Sequence, residues 1–260
     1  MRIPYFQVNA FTTDTFGGNP AGVCFLESWL ADERLQQVAA ENGFSETAFL
    51  VPEGPGYRLR WMTPTAEVDL CGHATLGSAH VLFSERGWPE ERVVFQTLSG
   101  RLTAALRQGL IELDFPSRPP RDCLAPADLI DGLGRRPLEI LKSRDYLAVF
   151  ASPQEVAALR PDPVLLCRLD ALGVIATAPG QDADFVSRFF APKVGVPEDP
   201  VTGSAHSTLV PYWAKRLGKN QLVARQISRR GGELHCRVLG KRVGIAGRAV
   251  VYCRGELDLP

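Results

Sequence analysis

The sequence predicts an α+β fold with mainly antiparallel sheets, built from two similar halves. A Gly-rich turn occurs twice, as CGHAT at residues 71–75 and as TGSAH at residues 202–206. Each turn follows an aromatic-apolar strand pattern and a proline, and each leads into a small-residue segment with a helical pattern. Strand patterns outnumber helical ones, and their connections have the length of hairpins.

The two copies differ by a short insertion. The spacing between the two turns exceeds the spacing between Pro64 and Pro192, the prolines that precede them, by three positions. The second copy therefore carries three extra residues, in a stretch that contains or adjoins Asp199. Helix starts carry unpaired N–H groups and the positive end of the helix dipole. We expect the starts at Gly72 and Gly203 to hold one carboxylate or oxyanion.

The first half alternates between strand and helix patterns. Residues 3–11 and 21–26 form a hairpin around the turn signal at residues 17–20. Asp32 is placed to cap a helix that buries one apolar face and ends at Gly43. The first Gly-rich turn opens a helix over residues 74–85. Further strands are predicted over residues 48–51, 57–61, 93–97, 102–106 and 111–115.

Two prolines with charged neighbours at residues 117–121 predict a linker. This boundary divides the chain into an N-terminal lobe, residues 1–117, and a C-terminal lobe, residues 118–249. The second lobe has one predicted helix, over residues 205–217. Its strands are predicted over residues 138–141, 146–151, 172–178, 185–190, 222–228, 233–239 and 243–252.

Composition narrows the classes of function. Of the 260 residues, 45% are hydrophobic and 22% are charged, which is ordinary for a globular protein. Lys+Arg and Asp+Glu both number 29, so no net charge favours nucleic acid or acidic lipid. The amino terminus lacks the apolar stretch of a signal peptide, and no run approaches the roughly 18 apolar residues of a membrane span. We expect a cytoplasmic protein that has neither nucleic acid nor membrane as its partner.

The six cysteines give no metal or disulfide pattern, because they are scattered without a Cys-x-x-Cys pair. Phosphate-binding loops, dinucleotide fingerprints and nucleophile elbows are also missing, so we expect no cofactor and no metal. Cys71 stands beside a helix start, where a cysteine can act as a nucleophile or base. Its counterpart is Thr202, which disfavours a symmetric exchange between two thiols and favours a packing role for Cys71.

Three polar residues near the turns are candidates for chemistry. Glu46 is either a solvated loop acid or, if its loop folds against the Gly-rich turns, a desolvated acid able to accept and return a proton. His73 either caps its helix or provides a neutral imidazole, because a helix start disfavours the imidazolium. Asp199 is either a turn residue before Pro200 or part of the same group.

At these residues the sequence resembles the phenazine-biosynthesis PhzF-like family, whose fold is that of the cofactor-independent diaminopimelate epimerases. The ordered motifs that carry the resemblance are VNAFTTDTFGGNPAGV at residues 8–23, GFSETAF at residues 43–49, CGHAT at residues 71–75 and EDPVTGSAH at residues 198–206. The resemblance implies two pseudo-symmetric lobes, each a curved, mainly antiparallel sheet around a central helix. It also implies an active site in the cleft between the lobes, a return of residues 250–260 to the first lobe, and a homodimer.

The resemblance also implies roles for individual residues. Glu46 matches the catalytic acid/base, and His73 and Asp199 match residues that hold the substrate and assist proton transfer. The thiol pair of the epimerases is not kept, since no cysteine lies at the second turn, and this departure favours isomerisation over stereoinversion. The positions that match the lining of the substrate carboxylate site are Ser45, Gly72, Gly203 and Ser204.

These observations predict a cofactor-independent isomerase that moves a proton within a small carboxylic acid, such as a dihydro-hydroxyanthranilate. One acid/base on one face, Glu46, moves a proton along a conjugated system. Two alternatives remain open: an epimerase or racemase with Cys71 as one base, and a non-catalytic ligand-binding or interaction protein. The sequence leaves the substrate undetermined, since the loops that shape a pocket differ within a fold.

Overall fold

The computed structural model describes residues 1–259, which form two compact units. Unit 1 comprises Met1–Asp114 with residues 246–259, and unit 2 comprises Phe115–Ile245. The lobes assigned from the sequence end three and four residues later, respectively. Within the described residues, every helix is too short or too polar to cross a membrane.

Unit 1 is a sheet around a buried helix. The helices are α1 (Asp32–Asn42) and α2 (Gly72–Ser84). Helix α2 packs against several strands and is buried from Gly72 to Ala79, as expected for a segment of small and apolar residues. The strands are β1 (Arg2–Ala10), β2 (Asn19–Phe25), β3 (Thr47–Glu53), β4 (Gly56–Met62), β5 (Glu67–Val68), β6 (Arg92–Thr97), β7 (Gly100–Arg107), β8 (Leu110–Pro116) and β18 (Ala249–Asp258).

Helix α1 covers a second core cluster of unit 1. Its buried face is Leu35, Val38 and Ala39, and Gly43 ends it in the left-handed conformation at φ 67°, as the sequence predicts. The predicted cap is wrong, because the residue before the helix is Ala31, whose side chain makes no capping hydrogen bond. Asp32 instead accepts a hydrogen bond of 2.8 Å from Arg60 Nη1.

Unit 2 contains short helices that the sequence patterns did not indicate. These are α3 (Ala127–Leu133), α4 (Pro153–Ala158) and α5 (Pro163–Leu166), followed by the longer α6 (Gly203–Leu217). Ser152 and Asp162 cap α4 and α5. The strands are β9 (Arg121–Asp122), β10 (Glu139–Lys142), β11 (Tyr146–Val149), β12 (Val174–Pro179), β13 (Phe185–Ala191), β14 (Val196–Asp199), β15 (Gln221–Gln226), β16 (Gly232–Leu239) and β17 (Arg242–Gly247).

The two units repeat one pattern of strand pairing. In unit 1, the pairs β1–β2, β3–β4, β4–β5 and β6–β7 are antiparallel, and β2–β3 and β4–β6 are parallel. In unit 2, β10–β11, β12–β13, β13–β14 and β15–β16 are antiparallel, and β11–β12 and β13–β15 are parallel. Helices α2 and α6 follow the equivalent strands β5 and β14. The predicted doubling of one α+β unit is therefore present in the topology.

The first and last strands pair with each other in unit 1. Strand β18 runs antiparallel to β1 from Arg2, opposite Asp258, to Ala10, opposite Ala249. The pairing continues beyond the strands, where the amino group of Met1 donates to the carbonyl of Leu259. Unit 1 is therefore completed by residues from both ends of the chain.

Equivalent ion pairs fix the position of the insertion. Arg60 of β4 donates two bonds of 2.7 Å to Glu67 of β5, and Arg188 of β13 donates bonds of 2.7 and 2.8 Å to Glu198 of β14. The two arginines are separated by as many residues as the two prolines before the turns. The two glutamates are separated by three residues more, as the two Gly-rich turns are. The three extra residues therefore lie before Glu198, near the 3₁₀ helix Pro192–Val194, and do not include Asp199.

Candidate active site

Unit 1 brings Glu46, Cys71 and His73 together at the amino end of α2. Glu46 is the residue before β3, Cys71 precedes the helix, and His73 is its second residue. The Oε2 atom of Glu46 lies 3.3 Å from Nε2 of His73. Because 6% of the His73 side chain and 19% of the Glu46 side chain are exposed, the pair is largely shielded from solvent. Glu46 is therefore a desolvated acid and not a solvated loop residue.

The hydrogen bonds of His73 indicate which ring nitrogen carries the proton. The side-chain amide nitrogen of Asn19 lies 3.1 Å from Nδ1 of His73, and this contact makes Nδ1 an acceptor. A neutral ring then carries its proton on Nε2, the nitrogen that faces Glu46. The hydroxyl of Ser45 lies 3.5 Å from the same Nε2 atom. The imidazole can therefore donate to Glu46 or to a ligand beside it.

Burial raises the pKa of Glu46 above its ordinary value, and hydrogen bonds from Ser45 and Cys71 lower it by less. A carboxyl group with a raised pKa changes protonation state more readily near neutral pH. Glu46 is thus suited both to remove a proton and to return it.

Cys71 lies in the same group of side chains. Its Sγ atom is 3.5 Å from Nδ1 and 3.9 Å from Nε2 of His73, and only 5% of the residue is exposed. One donor atom from each of Glu46, Cys71 and His73 lies within 4.8 Å of the others, and thiolate, imidazole and carboxylate are the ligands of zinc. The positive end of α2 disfavours a cation here. The favoured packing role of Cys71 stays a prediction.

Unit 2 places Asp199 in a network at the amino end of α6. The hydroxyl of Thr202 donates to Asp199 Oδ2 at 2.5 Å, and the amide of Gln226 donates to the Asp199 carbonyl at 2.7 Å. The backbone N–H of Thr202 donates to Gln226 Oε1 at 2.9 Å. Asp199 is therefore the last residue of β14 and is fixed by hydrogen bonds to Thr202 and Gln226. It does more than form the turn that an Asp-Pro pair usually indicates.

Gly203 and Ser204 are the first two residues of α6. Arg144, in the turn between β10 and β11, donates from Nη2 to the hydroxyl of Ser204 at 3.4 Å. Further along the helix, His206 is fully buried, and this burial lowers its pKa to about 4. Because a neutral, enclosed imidazole contacts no solvent, His206 is structural, in line with the absence of a chemical role in the sequence analysis.

The structure thus groups the predicted residues into two sets. Ser45, Glu46, Gly72 and His73 belong to unit 1, and Asp199, Gly203 and Ser204 belong to unit 2. Sequence reasoning missed the polar residues that contact these sets from distant strands and turns, namely Asn19, Arg144 and Gln226. Asn19 stands in the GGNP turn signal, which reports a turn and gives no sign of a contact with residue 73.

The strand registers show that a glycine of unit 2 takes the position of Glu46. Thr47 pairs with Met62 in unit 1, and Val174 pairs with Phe190 in unit 2. Met62 and Phe190 are separated by the same number of residues as Pro64 and Pro192, so they occupy equivalent positions in the two units. Their strand partners, Thr47 and Val174, are then equivalent as well. The residues before these partners, Glu46 and Gly173, therefore correspond to each other. A Cβ atom at Gly173 would lie 2.5 Å from a ring carbon of Phe189 and 2.8 Å from the Phe190 carbonyl oxygen. The position therefore has no room for a second acid.

Known proteins resemble this chain along nearly its whole length. Residues 8–255 match the family model described as phenazine biosynthesis-like protein, PhzC-PhzF. A protein of Pseudomonas aeruginosa named an uncharacterized isomerase is 51% identical over 260 residues, which is 100% of both chains. The crystal structure of a PhzF family protein from Enterococcus faecalis superposes with a TM-score of 0.97 at 45% identity, covering 100% of both chains.

A more distant structural similarity identifies the wider fold class. A probable proline racemase from Agrobacterium radiobacter superposes with a TM-score of 0.67 at 15% identity, over 99% of this chain and 93% of the racemase. This likeness places the chain in the diaminopimelate epimerase-like fold, as the sequence predicts. Because the family model spans nearly the whole chain and the relatives match it end to end, the protein belongs to the PhzF-like isomerase family.

Proposed function

We propose that the protein is a cofactor-independent isomerase that moves a proton within a small carboxylic acid, with Glu46 as its single acid/base. The observation that carries this proposal is the shielded Glu46–His73 pair, with 3.3 Å between Oε2 and Nε2, at the amino end of α2. A raised pKa lets Glu46 take a proton from carbon and release it again. A dihydro-hydroxyanthranilate is the substrate type to test first.

The residues around Glu46 supply what such a proton shift needs. Removal of a proton from a carbon next to a conjugated carboxylate leaves negative charge on the substrate. N–H groups at a helix start and the Nε2–H group of His73 stabilise this charge as it grows. Glu46 then donates a proton to another carbon of the conjugated system, after exchange with solvent in a fraction of turnovers, so that the substrate gains one proton for the one it loses. Ser45, Gly72, Gly203 and Ser204 are proposed to bind the carboxylate, and Asp199 is proposed to hold substrate substituents.

The glycine at the equivalent position of unit 2 supports isomerisation over inversion. Inversion of a carbon centre uses one base on each face, whereas a shift along one face uses one base. In unit 2 the position of Glu46 is Gly173, which has no space for a side chain, and the position of Cys71 is Thr202. One buried acid/base is therefore the favoured arrangement.

Heavy-water incubation tests the proposal. Wild-type protein is incubated with a dihydro-hydroxyanthranilate in D₂O, and deuterium at each carbon is followed by NMR. Glu46→Gln should end both conversion and deuterium incorporation, because an amide cannot take the proton. Glu53→Gln, at the exposed end of β3, is the matched control and should behave as the wild type does. Deuterium incorporation by Glu46→Gln at the wild-type rate would exclude Glu46 from the mechanism.

One observation favours a second candidate function. The Sγ atom of Cys71 lies 3.5 Å from His73 Nδ1, so a ring nitrogen that acts as an acceptor is placed to take the proton of the thiol. An epimerase that uses Cys71 predicts a large loss of activity in Cys71→Ala, together with inversion at one carbon. The proton-shift proposal predicts a new double-bond position and no inverted centre.

A further inference from the structure

Three side chains at the start of α2 have the spacing of a zinc site. One donor atom from each of Glu46, Cys71 and His73 lies within 4.8 Å of the others, and this is the one such group of three among the described residues. Tetrahedral zinc, with bonds of about 2.0–2.3 Å, places nitrogen and oxygen ligands about 3.4 Å apart and nitrogen and sulfur ligands about 3.6 Å apart. In the protein, Nε2 of His73 lies 3.3 Å from Oε2 of Glu46 and 3.9 Å from Sγ of Cys71. Small shifts would bring all three atoms to one ion.

The carboxyl group of Glu46 has an oxygen atom that lacks a donor. Its Oε2 atom is buried and, in the described part of the chain, accepts no hydrogen bond. A buried polar atom without a partner is costly in a protein interior, and a cation would supply that partner. Because 19% of the Glu46 side chain is exposed, a small ion can reach this oxygen from solvent.

The charges of the three ligands match the charge of the ion. A thiolate and a carboxylate together neutralise Zn²⁺, and the imidazole is neutral, so the occupied site carries no net charge. The positive end of α2 lowers the affinity for a cation by about two- to fivefold, which is little beside three bonds from protein ligands. On binding, the thiol and the protonated carboxyl group release their protons to solvent, and no electrons are transferred.

Asn19 is placed to orient the imidazole toward the ion. Its side-chain amide nitrogen lies 3.1 Å from Nδ1 of His73, the ring nitrogen that does not face Glu46. A half turn of the amide exchanges its nitrogen and oxygen, and the oxygen then accepts from a proton on Nδ1. The lone pair of Nε2 is then available to the metal. Histidines that bind zinc commonly donate their second N–H group to an oxygen in this way.

The equivalent place in unit 2 has none of these ligands. Thr202 precedes α6, Ser204 is the second residue of that helix, and Gly173 takes the position of Glu46. A hydroxyl is a poor ligand for zinc, and a glycine has no side chain to offer. The repeated fold therefore does not by itself create a metal site, and the three ligands belong to unit 1 alone.

We infer that Glu46, Cys71 and His73 bind one Zn²⁺ ion, and that the bound ion keeps the protein inactive. The inference of inactivity rests on the proposed function, because a carboxylate that coordinates a metal cannot exchange a proton with a substrate. Water completes the coordination of the ion. Removal of the ion by a chelator restores the acid/base group.

Metal titrations test the site without any substrate. Co²⁺ added to the wild type should produce the absorption of a cobalt–thiolate bond, and one Zn²⁺ per chain should abolish it by displacing the cobalt. Isothermal titration calorimetry should give a Kd for Zn²⁺ of about 1 µM or lower. Cys71→Ala should lose the cobalt–thiolate absorption and weaken zinc binding at least about 10-fold. Glu46→Gln should keep the absorption and weaken zinc binding by about 10-fold.

Three control variants remove exposed groups that could hold a metal elsewhere. Cys167→Ala and Cys253→Ala each remove an exposed thiol. His235→Ala removes an imidazole that lies 3.1 Å from a carboxylate oxygen of Glu233 and is 40% exposed. All three variants should bind Zn²⁺ with the affinity and stoichiometry of the wild type.

Two results would overturn the zinc site. One is a wild type that shows no cobalt–thiolate absorption and binds no Zn²⁺. The other is wild-type zinc affinity in Cys71→Ala and Cys71→Ser, with melting temperatures that show both variants to be folded. Where Cys71→Ala does not melt cooperatively, the affinity of Cys71→Ser decides.

The heavy-water assay separates this inference from the proposed function. One equivalent of Zn²⁺ should end deuterium incorporation by the wild type, and EDTA should restore it. Deuterium incorporation by Glu46→Gln at the wild-type rate would overturn the proposed function and leave the metal site intact. Undiminished incorporation by a wild type whose zinc site is filled would overturn the inferred inactivation.

Discussion

The amino ends of α2 and α6 occupy equivalent places in two units with one strand order, yet their chemistry differs. The α2 start has a carboxyl group, an imidazole and a thiol within a few ångströms of one another. The α6 start has the carboxylate of Asp199 and a hydroxyl beside a guanidinium, and a glycine stands at the position equivalent to Glu46. The two units have the same strand order and the same kind of helix start, and a few substitutions around these starts give them different side-chain chemistry.

The largest effect expected from this comparison is on turnover. Glu46→Gln should lower kcat by about 100- to 10,000-fold, the usual contribution of a general acid/base. Glu53→Gln should change kcat by less than about twofold, because an exposed residue outside the site has little influence on the reaction. Steady-state kinetics on a dihydro-hydroxyanthranilate measures both. A loss shared equally by the two variants would show that Glu46 has no special role.

The second effect concerns the glycine that replaces the acid in unit 2. Gly173→Ala should destabilise the protein by about 1–3 kcal/mol, because its Cβ atom would overlap Phe189 and the Phe190 carbonyl. Gly255→Ala is the control, since a Cβ atom there meets nothing within 4 Å among the described residues. Urea unfolding measures both free energies. Equal stabilities of the two variants would contradict the argument that unit 2 cannot accommodate a second acid.

A third, smaller difference is expected between the equivalent ion pairs. Arg188 donates to Glu198 and also to the backbone carbonyls of Val156 and Leu159, at 3.1 and 3.0 Å. Arg60 donates to Glu67, and its second partner is the carboxylate of Asp32, which is exposed to solvent. Arg188→Met should therefore destabilise the protein by about 1 kcal/mol more than Arg60→Met does. Denaturant midpoints with matched m-values give the comparison. A larger loss for Arg60→Met would reverse it.

The smallest effect is a pH dependence of stability. Because the pKa of Glu46 is raised in the folded protein, the folded state holds its proton to a higher pH than the unfolded state does. Stability of the wild type is then lost as pH rises from the unfolded pKa through the folded pKa, whereas Glu46→Gln has no such loss. The variant should melt at a higher temperature than the wild type at pH 8, with a smaller gap at pH 4. A gap that is equal at both pH values would contradict the raised pKa.

The doubled motif made the fold predictable, because the CGHAT and TGSAH turns sit at the same place in two identical strand orders. Helices α3 to α5 were missed because segments of four to seven residues show too little periodicity to identify. Their motifs made Glu46 and His73 candidates, and the structure places the two side chains together. Arg144 and Gln226 were missed because their contacts with Ser204 and Thr202 join residues far apart in the chain.

The pairing of β1 with β18 sets an order of events during synthesis. Unit 1 lacks an edge strand until residues 249–258 have left the ribosome, whereas all of unit 2 is synthesised before them. Unit 1, which contains Glu46, should therefore reach its native state last, although most of it is translated first. A truncation that removes only strand β18 would leave β1 with an unpaired edge. Loss of this late strand should therefore disturb the surroundings of Glu46, although Glu46 lies far from it in the sequence.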